Sequence, residues 1–547
     1  MKKFALLLTL SLLFLCACPS FAATESPLFL LGNNGQMEVH HENGDLISTL
    51  KIEKKPVKII TENKGQKILL CKGEISSSKK SIPGTLRLLS ADYQSFSKTI
   101  EFNSVVNNFC LNQNKSILWV TTLANSSKKE QLNPTLYQID LETFTSKEFT
   151  LDSNPCTLEL NNSEKILAIS TWGGKKSPSF IKLFELTNFT LLTEFQVPQS
   201  PSKLLFNSND QTLLALSYNY FTKKPIPETI TYFDLTTMKV TKQERLDLTS
   251  ERLNFSQAEP LYFVVKQKKK QAKVVAFNFE GKAYEVTTDF IPKLIQENPD
   301  TKQLFIQGDR KLCIYDPITK QIIQTLITPG KADRICFLPN HPYAYLYHVG
   351  ASKLSTINLA ELKLEPTTKV GRTGWAKFKI FLTLLAMVGN AHNAANTINY
   401  YYYPTYFITP FGNTILFETD QEKKLYLLNS LSNDITVYDL KNNRQRYLIT
   451  GISSDALYLQ LTPNRKYLVE VNRTYPWELI NLQTEQKELT IKVNGFFQIE
   501  RLRTPYYNPA GNMLYIPSGK KIIVVDLETG KRLKDLKTKL NNPEICW

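Results

Sequence analysis

Histidine is scarce in this chain: five occur in 547 residues, at His40, His41, His341, His348 and His392. Adjacent strand residues face opposite sides, so His40 and His41 cannot jointly ligate one metal from a regular strand, and all five are expected to be satisfied structural side chains. No Cys-x-x-Cys pair is present, which removes the ligand spacing of zinc knuckles and of c-type haem attachment. There is no Gly-x-Ser-x-Gly elbow, no Gly-Lys-Ser/Thr phosphate loop and no His-Glu-x-x-His helix. The hydrolase, nucleotide-binding and metalloprotease classes therefore lack their characteristic residues. No apolar run reaches the roughly 20 residues of a membrane-crossing helix. These absences lead to the expectation of a non-enzymatic protein without a cofactor.

What is present is a chain able to build a core: 42% of it is hydrophobic and 21% charged, with 25 Tyr and 30 Phe, which argues against global disorder. Lys2 and Lys3 precede an apolar run at 4–15 and small residues at Ser20, Ala22 and Ala23. These are the three regions of a secretory signal, here 1–23, and they predict export to a periplasmic or extracellular location. Leu15-Cys16-Ala17-Cys18 also resembles a lipobox, so the alternative to simple cleavage is a lipid anchor at Cys18.

A repeat dominates the rest. An apolar strand, an Asp-Leu or near equivalent, a polar turn and a second strand recur at 136–151 (LYQIDLETFTSKEFTL), 230–246 (ITYFDLTTMKVTKQERL), 312–327 (LCIYDPITKQIIQTLI), 435–448 (ITVYDLKNNRQRYL) and 522–533 (IIVVDLETGKRL). Weaker copies lie around Val39, Leu88, Phe184, Phe277, Ile357 and Ile480. Two further strands joined by an Asn, Pro or Gly turn precede each copy except the first, as at 337–347, 406–417 and 459–471, which is the hairpin signal. The unit is thus four short strands, a to d, in about 40 to 50 residues. The recurring acids Asp140, Asp234, Asp316, Asp439 and Asp526 hold one position in different units, so they read as turn caps rather than as a converging metal site.

These units resemble the YVTN-type propeller family, which is similar to WD-repeat propellers; 526–530 (DLETG) matches best and the WD dipeptide is absent. The resemblance covers nearly all of 24–547 and implies an all-β fold, a β-propeller of four-stranded blades. Ten units begin near Val57, Val106, Pro155, Pro201, Arg252, Pro292, Ala332, Pro404, Asp455 and Glu500. A remnant at 28–52 lacks strand a, and 543–547 looks like a strand a with nothing after it, so the two ends would complete an eleventh unit and remove free edges. Eleven blades exceed the usual ring, which favours two rings over one large one. Repeats are expected over 24–370 and 404–547, around an insertion at 371–403. The cysteines Cys71, Cys110, Cys156, Cys313, Cys336 and Cys546 fall in different units and read as small core residues. The Asn-x-Ser/Thr matches at Asn114, Asn125, Asn161, Asn188, Asn254 and Asn472 read as chance occurrences in an Asn-rich chain.

The formal charge of +16 favours an anionic partner. The register concentrates it: the b–c connections carry Lys79 and Lys80, Lys128 and Lys129, Lys175 and Lys176, Lys223 and Lys224, then Lys266, Lys268, Lys269, Lys270 and Lys273. Arg310 with Lys311, Lys353, and Lys520 with Lys521 continue the pattern more weakly. In an antiparallel meander the b–c and d–a connections share one end, so the lysines would form one face, opposite the c–d acids. The insertion joins a d strand to an a strand on that face. Its apolar stretch, with Trp375, Phe378, Phe381 and Leu385, predicts a helix over 375–392, either buried or lying in a membrane interface. The function expected is an exported binding or scaffolding platform whose lysine face engages an acidic protein partner or an anionic envelope surface. Export makes nucleic acid a poor candidate, and membrane contact would be peripheral. The alternatives are a tunnel-centred enzyme like propeller lactonases or quinoproteins, and a structural subunit of an envelope complex.

Overall fold

The computed structural model describes residues 27–371, 414–493 and 505–546, except for shorter interior stretches that include 75–81, 128–129, 174–177, 218–228 and 269–270. The described residues contain no α-helix. They form nine four-stranded antiparallel sheets, two sheets whose last strand is broken in two, and one small hairpin of Asn125–Ser127 with Glu130–Leu132.

Each sheet is a meander in which strands a to d neighbour one another in chain order. The first sheet takes its a strand from the chain's end: Glu544–Cys546, then Leu28–Leu31, Gln36–His40 and Leu46–Lys51. The second runs from Pro56–Thr61 to Phe96–Glu101, the third from Val106–Leu111 to Thr145–Thr150, and the fourth from Asn154–Leu160 to Thr190–Val197. The fifth begins at Pro201–Phe206, the sixth at Ser250–Asn254, the seventh at Leu294–Glu297 and the eighth at Ile335–Cys336. The ninth begins at Thr414–Glu418, the tenth at Ala456–Leu461 and the eleventh at Tyr506–Tyr507.

Burial explains the sequence pattern. The b and c strands are apolar on both faces because both are covered: Leu167–Ser170 of the fourth sheet and Leu312–Tyr315 of the seventh are wholly buried. The d strands read eeeeie or eeeieBe because only occasional residues meet the core. Among the described residues each core cluster is shared by two sheets, consecutive in all but the one that joins the eleventh to the first. Ala168 and Leu183 of the fourth pack on Leu204, Leu213 and Phe233 of the fifth, and Leu428 and Val437 of the ninth pack on Leu459, Leu468 and Ile480 of the tenth. Each fully buried Leu, Ile or Phe contributes about 1.5–3 kcal/mol relative to exposure, so a sheet is stable only beside its neighbours.

The chain forms two compact units. One comprises Met1–Cys71, Thr85–Thr99 and Arg503–Trp547, and the other Lys72–Gly84 with Ile100–Leu502. In the first, Phe29, Leu30 and Leu31 pair with Cys546, Ile545 and Glu544, which ties the chain's end to its first strand. Glu38 reinforces this tie: its carboxylate accepts the Lys539 backbone N–H at 2.9 Å and the His40 ring Nε2 at 3.1 Å. Burial alone would raise the Glu38 carboxyl, but hydrogen bonds from His40, Thr538 and Lys539 outweigh it and hold the group below its ordinary value. The second unit holds the third to the tenth sheets.

One register differs from expectation. In the ninth sheet the two strands before 435–448 are Thr414–Glu418 and Lys423–Asn429, not two strands within 406–417. The polar residues 419–422 (TDQE) break the apolar pattern between the strands, a stronger turn signal than Pro410 or Gly412. The segment 372–413, with the helix expected over 375–392, lies outside the described residues.

Candidate functional site

The lysine-bearing end of the sheets is fixed by register. In the fourth sheet Ser170 of strand b pairs with Ile181 of strand c, and Ser179 at the start of c pairs with Val197 at the end of d. The connection that carries Lys175 and Lys176 therefore leaves the same end as the d–a connection. Lys79 and Lys80, Lys128 and Lys129, Lys223 and Lys224, and Lys269 and Lys270 interrupt the corresponding b–c connections of the second, third, fifth and sixth sheets. These nine tip residues besides Lys175 lie, like it, outside the described residues, as do Trp375, Phe378, Phe381 and Leu385. Lys268 ends the sixth sheet's b strand, opposite Gln271.

Three described lysines at this end meet acids. Lys273 pairs with Glu285 at 2.5 Å, Lys311 pairs with Asp289, and Lys521 pairs with Asp535 at 2.8 Å. Asp535 is also held by Arg532 at 2.6 Å. Burial would raise the Asp535 carboxyl, but the two cations outweigh it and hold the group low. These contacts are partly or largely exposed and contribute little to stability. Their effect is local neutralisation in the sixth, seventh and eleventh sheets. Trp172, the last residue of the fourth sheet's b strand, is exposed beside the 174–177 connection. A single aromatic in a strand gives no periodic signal, which is why its exposure is not legible in sequence.

At the opposite end the recurring acids are consumed by their own turns. The Asp140 Oδ1 accepts the N–H groups of Glu142 and Thr143 at 2.9 and 2.8 Å, and Asp234 does the same with Thr236 and Thr237. Asp316, Asp439 and Asp526 accept from Ile318, Lys441 and Glu528. Asn358 and Asn481 substitute for Asp in the eighth and tenth sheets. Backbone N–H donation, chiefly from Thr237, holds the Asp234 carboxyl below its ordinary value. The fifth residue of this turn has positive φ, and most sheets place no glycine there: Phe144, Phe189, Met238, Lys320, Leu362 and Glu485 occupy it. Caps repeated in this way converge on nothing, and among the described residues no three His, Cys, Asp or Glu side chains stand close enough to hold a metal ion.

The a–b turns at the same end link neighbouring sheets. Asp210 of the fifth sheet accepts from Asn161 Nδ2 at 3.0 Å, Asn162 N at 2.9 Å, Asn162 Nδ2 at 2.7 Å and Ser163 N at 2.7 Å, all in the fourth. Glu164 of the fourth accepts the Gln113 N–H of the third. Asn161 is buried and spans its own turn through Lys165 and Ile166.

The a strands bring a second group of polar residues together. Asn107 and Asn108 donate to the Pro155 and Cys156 carbonyls at 2.7 and 2.5 Å across the third and fourth sheets. Near them Glu159 has a carboxyl raised by crowding from its surroundings and partly restored by Lys203 of the fifth sheet, although solvent reaches it. Burial, then the Glu159 charge, pushes the Cys110 thiol far above its ordinary range. A thiol held protonated is a poor nucleophile, so this trio offers no activated nucleophile and base.

No family model and no curated protein matches this chain. Among solved structures, "Dihydro-heme d1 dehydrogenase NirN in complex with DHE" is similar at 12% identity and a TM-score of 0.32, covering 75% of this chain and 72% of that one. "Crystal structure of the eukaryotic initiation factor" is similar at 12% identity and a TM-score of 0.37, covering 87% of this chain and 97% of the other.

Proposed function

We propose that the four-stranded units are propeller blades and that the chain is an exported, non-enzymatic binding platform. Its lysine-rich b–c connections engage an acidic protein or an anionic envelope surface. The observation that carries this reading is positional: in five consecutive sheets, the second to the sixth, a lysine pair or cluster interrupts the same connection. Solubility needs charge somewhere on a surface but sets no such register. Of the described acids at this end, Asp152, Asp289 and Asp535 are already bound to Lys182, Lys311 and Lys521, which limits how far they offset the tips. Trp172 gives the same end an exposed aromatic of the kind that anchors interfaces.

The test is crosslinking and pull-down of the exported protein in its own host, beside a variant carrying Lys79→Glu, Lys128→Glu, Lys176→Glu and Lys224→Glu. Acidic partners recovered with the wild type should be lost from the variant while its far-UV circular dichroism is unchanged. An identical set of partners for both proteins would end this reading. Export is checked by fractionation and by the mass of the mature N-terminus, which also distinguishes cleavage within 1–23 from lipidation at Cys18.

A further inference from the structure

The outer edge of the seventh sheet is unlike its counterparts. Its d strand, Gln321–Ile327, reads QIIQTLI and pairs on one side with Lys311–Asp316. Among the described residues no strand pairs with its other side. Ile322 and Ile323 are each 39% exposed and Ile327 is 67% exposed, and Ile318 in the turn just before them reaches 83%. Every other described d strand carries at least one charged residue, from Lys51 in Leu46–Lys51 to Lys487 and Glu488 in Gln486–Ile491. Charge on an outer strand is the ordinary defence against edge-to-edge pairing, and here it is missing from a β-branched strand of seven residues.

We propose that Gln321–Ile327 is a pairing edge for a second copy of this chain, joined antiparallel through the same strand in both copies. Charge decides the occupant. A two-fold axis through the middle of an outer strand sets its central residue opposite itself and its first residue opposite its last; on Lys239–Arg245 that puts Lys242 against Lys242 and Lys239 against Arg245, which is unfavourable. On Gln321–Ile327 it opposes only uncharged side chains. The strand's two ends are also electrically balanced, Asp316 with Lys320 at one and the Lys311–Asp289 ion pair at the other. Antiparallel pairing thus sets a balanced end against a balanced end. An isologous contact of this kind closes as a dimer and does not propagate into a fibre.

The experiment is sedimentation velocity on the purified full chain over a concentration series, with hydrogen exchange of the 321–327 amides measured at the same concentrations. A species of twice the chain mass is expected, and protection of those amides should rise as it forms. Ile323→Lys with Ile327→Lys should weaken association by about tenfold or more, whereas Leu192→Lys on the fourth sheet's d strand should not. The exchange measurement on unaltered protein keeps the test decisive if the double variant does not fold. A wild type monomeric at all concentrations, a dimer without protection at 321–327, or protection gained only on adding an uncharged extended peptide would each overturn self-pairing.

Discussion

Replacing Asp210 by Ala tests whether turn-to-turn hydrogen bonds hold neighbouring sheets in register. The carboxylate accepts four hydrogen bonds from Asn161, Asn162 and Ser163 at 2.7 to 3.0 Å. In a buried site each bond to a charged acceptor would contribute about 1.5–3 kcal/mol. This site is only partly buried, and the freed donors can turn to water. A discounted value of roughly 0.5 kcal/mol per bond then gives a loss of about 2 kcal/mol. Asp210→Asn tolerates the left-handed backbone, at φ 57°, but keeps one acceptor oxygen, so it should lose about half as much. Hydrogen exchange reads the effect directly: the Asn162 and Ser163 amides should lose about tenfold or more of their protection in Asp210→Ala, and little in the exposed control Ser208→Ala. Burial raises this carboxyl, but N–H donation outweighs it and holds it below 3.8. Its contribution is therefore complete above that pH and lost as pH falls through the lowered value, so wild type and Asp210→Ala should converge in acid. Unchanged protection at Asn162 and Ser163 would refute the reasoning.

Three further outcomes follow from local geometry. Lys320 sits exposed at φ 57° where the eleventh sheet has Gly530, so Lys320→Gly should stabilise by about 0.5–1 kcal/mol and Lys320→Val should destabilise, by urea denaturation. His348 is buried with Ser355 Oγ 2.9 Å from its Nε2, and desolvation lowers its pKa below 6.5. The unfolded chain then binds the proton first, so stability should fall as pH drops below about 6.5, a slope that His348→Gln should flatten. Glu38→Ala should raise exchange at Leu30 and Leu31 by removing the anchor of the Lys539 segment, whereas Asp92→Ala in the same unit should leave those amides unchanged.

The repeating strand–Asp–turn signal was legible because strands with both faces buried write continuous apolar runs and each turn needs a carboxylate or amide at one fixed place. Asp140, Asp234, Asp316, Asp439 and Asp526 all perform that task. The left-handed fifth turn position was not legible, since Phe144, Phe189, Met238 and Lys320 give no glycine to mark it. The bond from Asp210 to Asn161 spans 49 residues and belongs to packing between sheets, which a local pattern does not encode. In the ninth sheet Pro410 and Gly412 give a turn signal within 406–417, whereas the strands are set by the polar break after Glu418. For the candidate site, sequence located the lysine connections by register, whereas the pairing of Lys273, Lys311 and Lys521 with acids depended on side-chain reach across strands.

The central claim is that the lysine connections bind an anionic partner, and the most direct measurement is the salt dependence of binding to two anionic probes. Wild type and the fourfold Lys→Glu variant would be titrated with phosphatidylglycerol vesicles and with polyglutamate at about 50 and 300 mM salt, where screening lengths differ more than twofold. The account predicts that wild type binds at least one probe at low salt, that binding weakens as salt rises, and that the variant loses it. Absence of binding to both probes, or binding that the four substitutions leave unchanged, would contradict it.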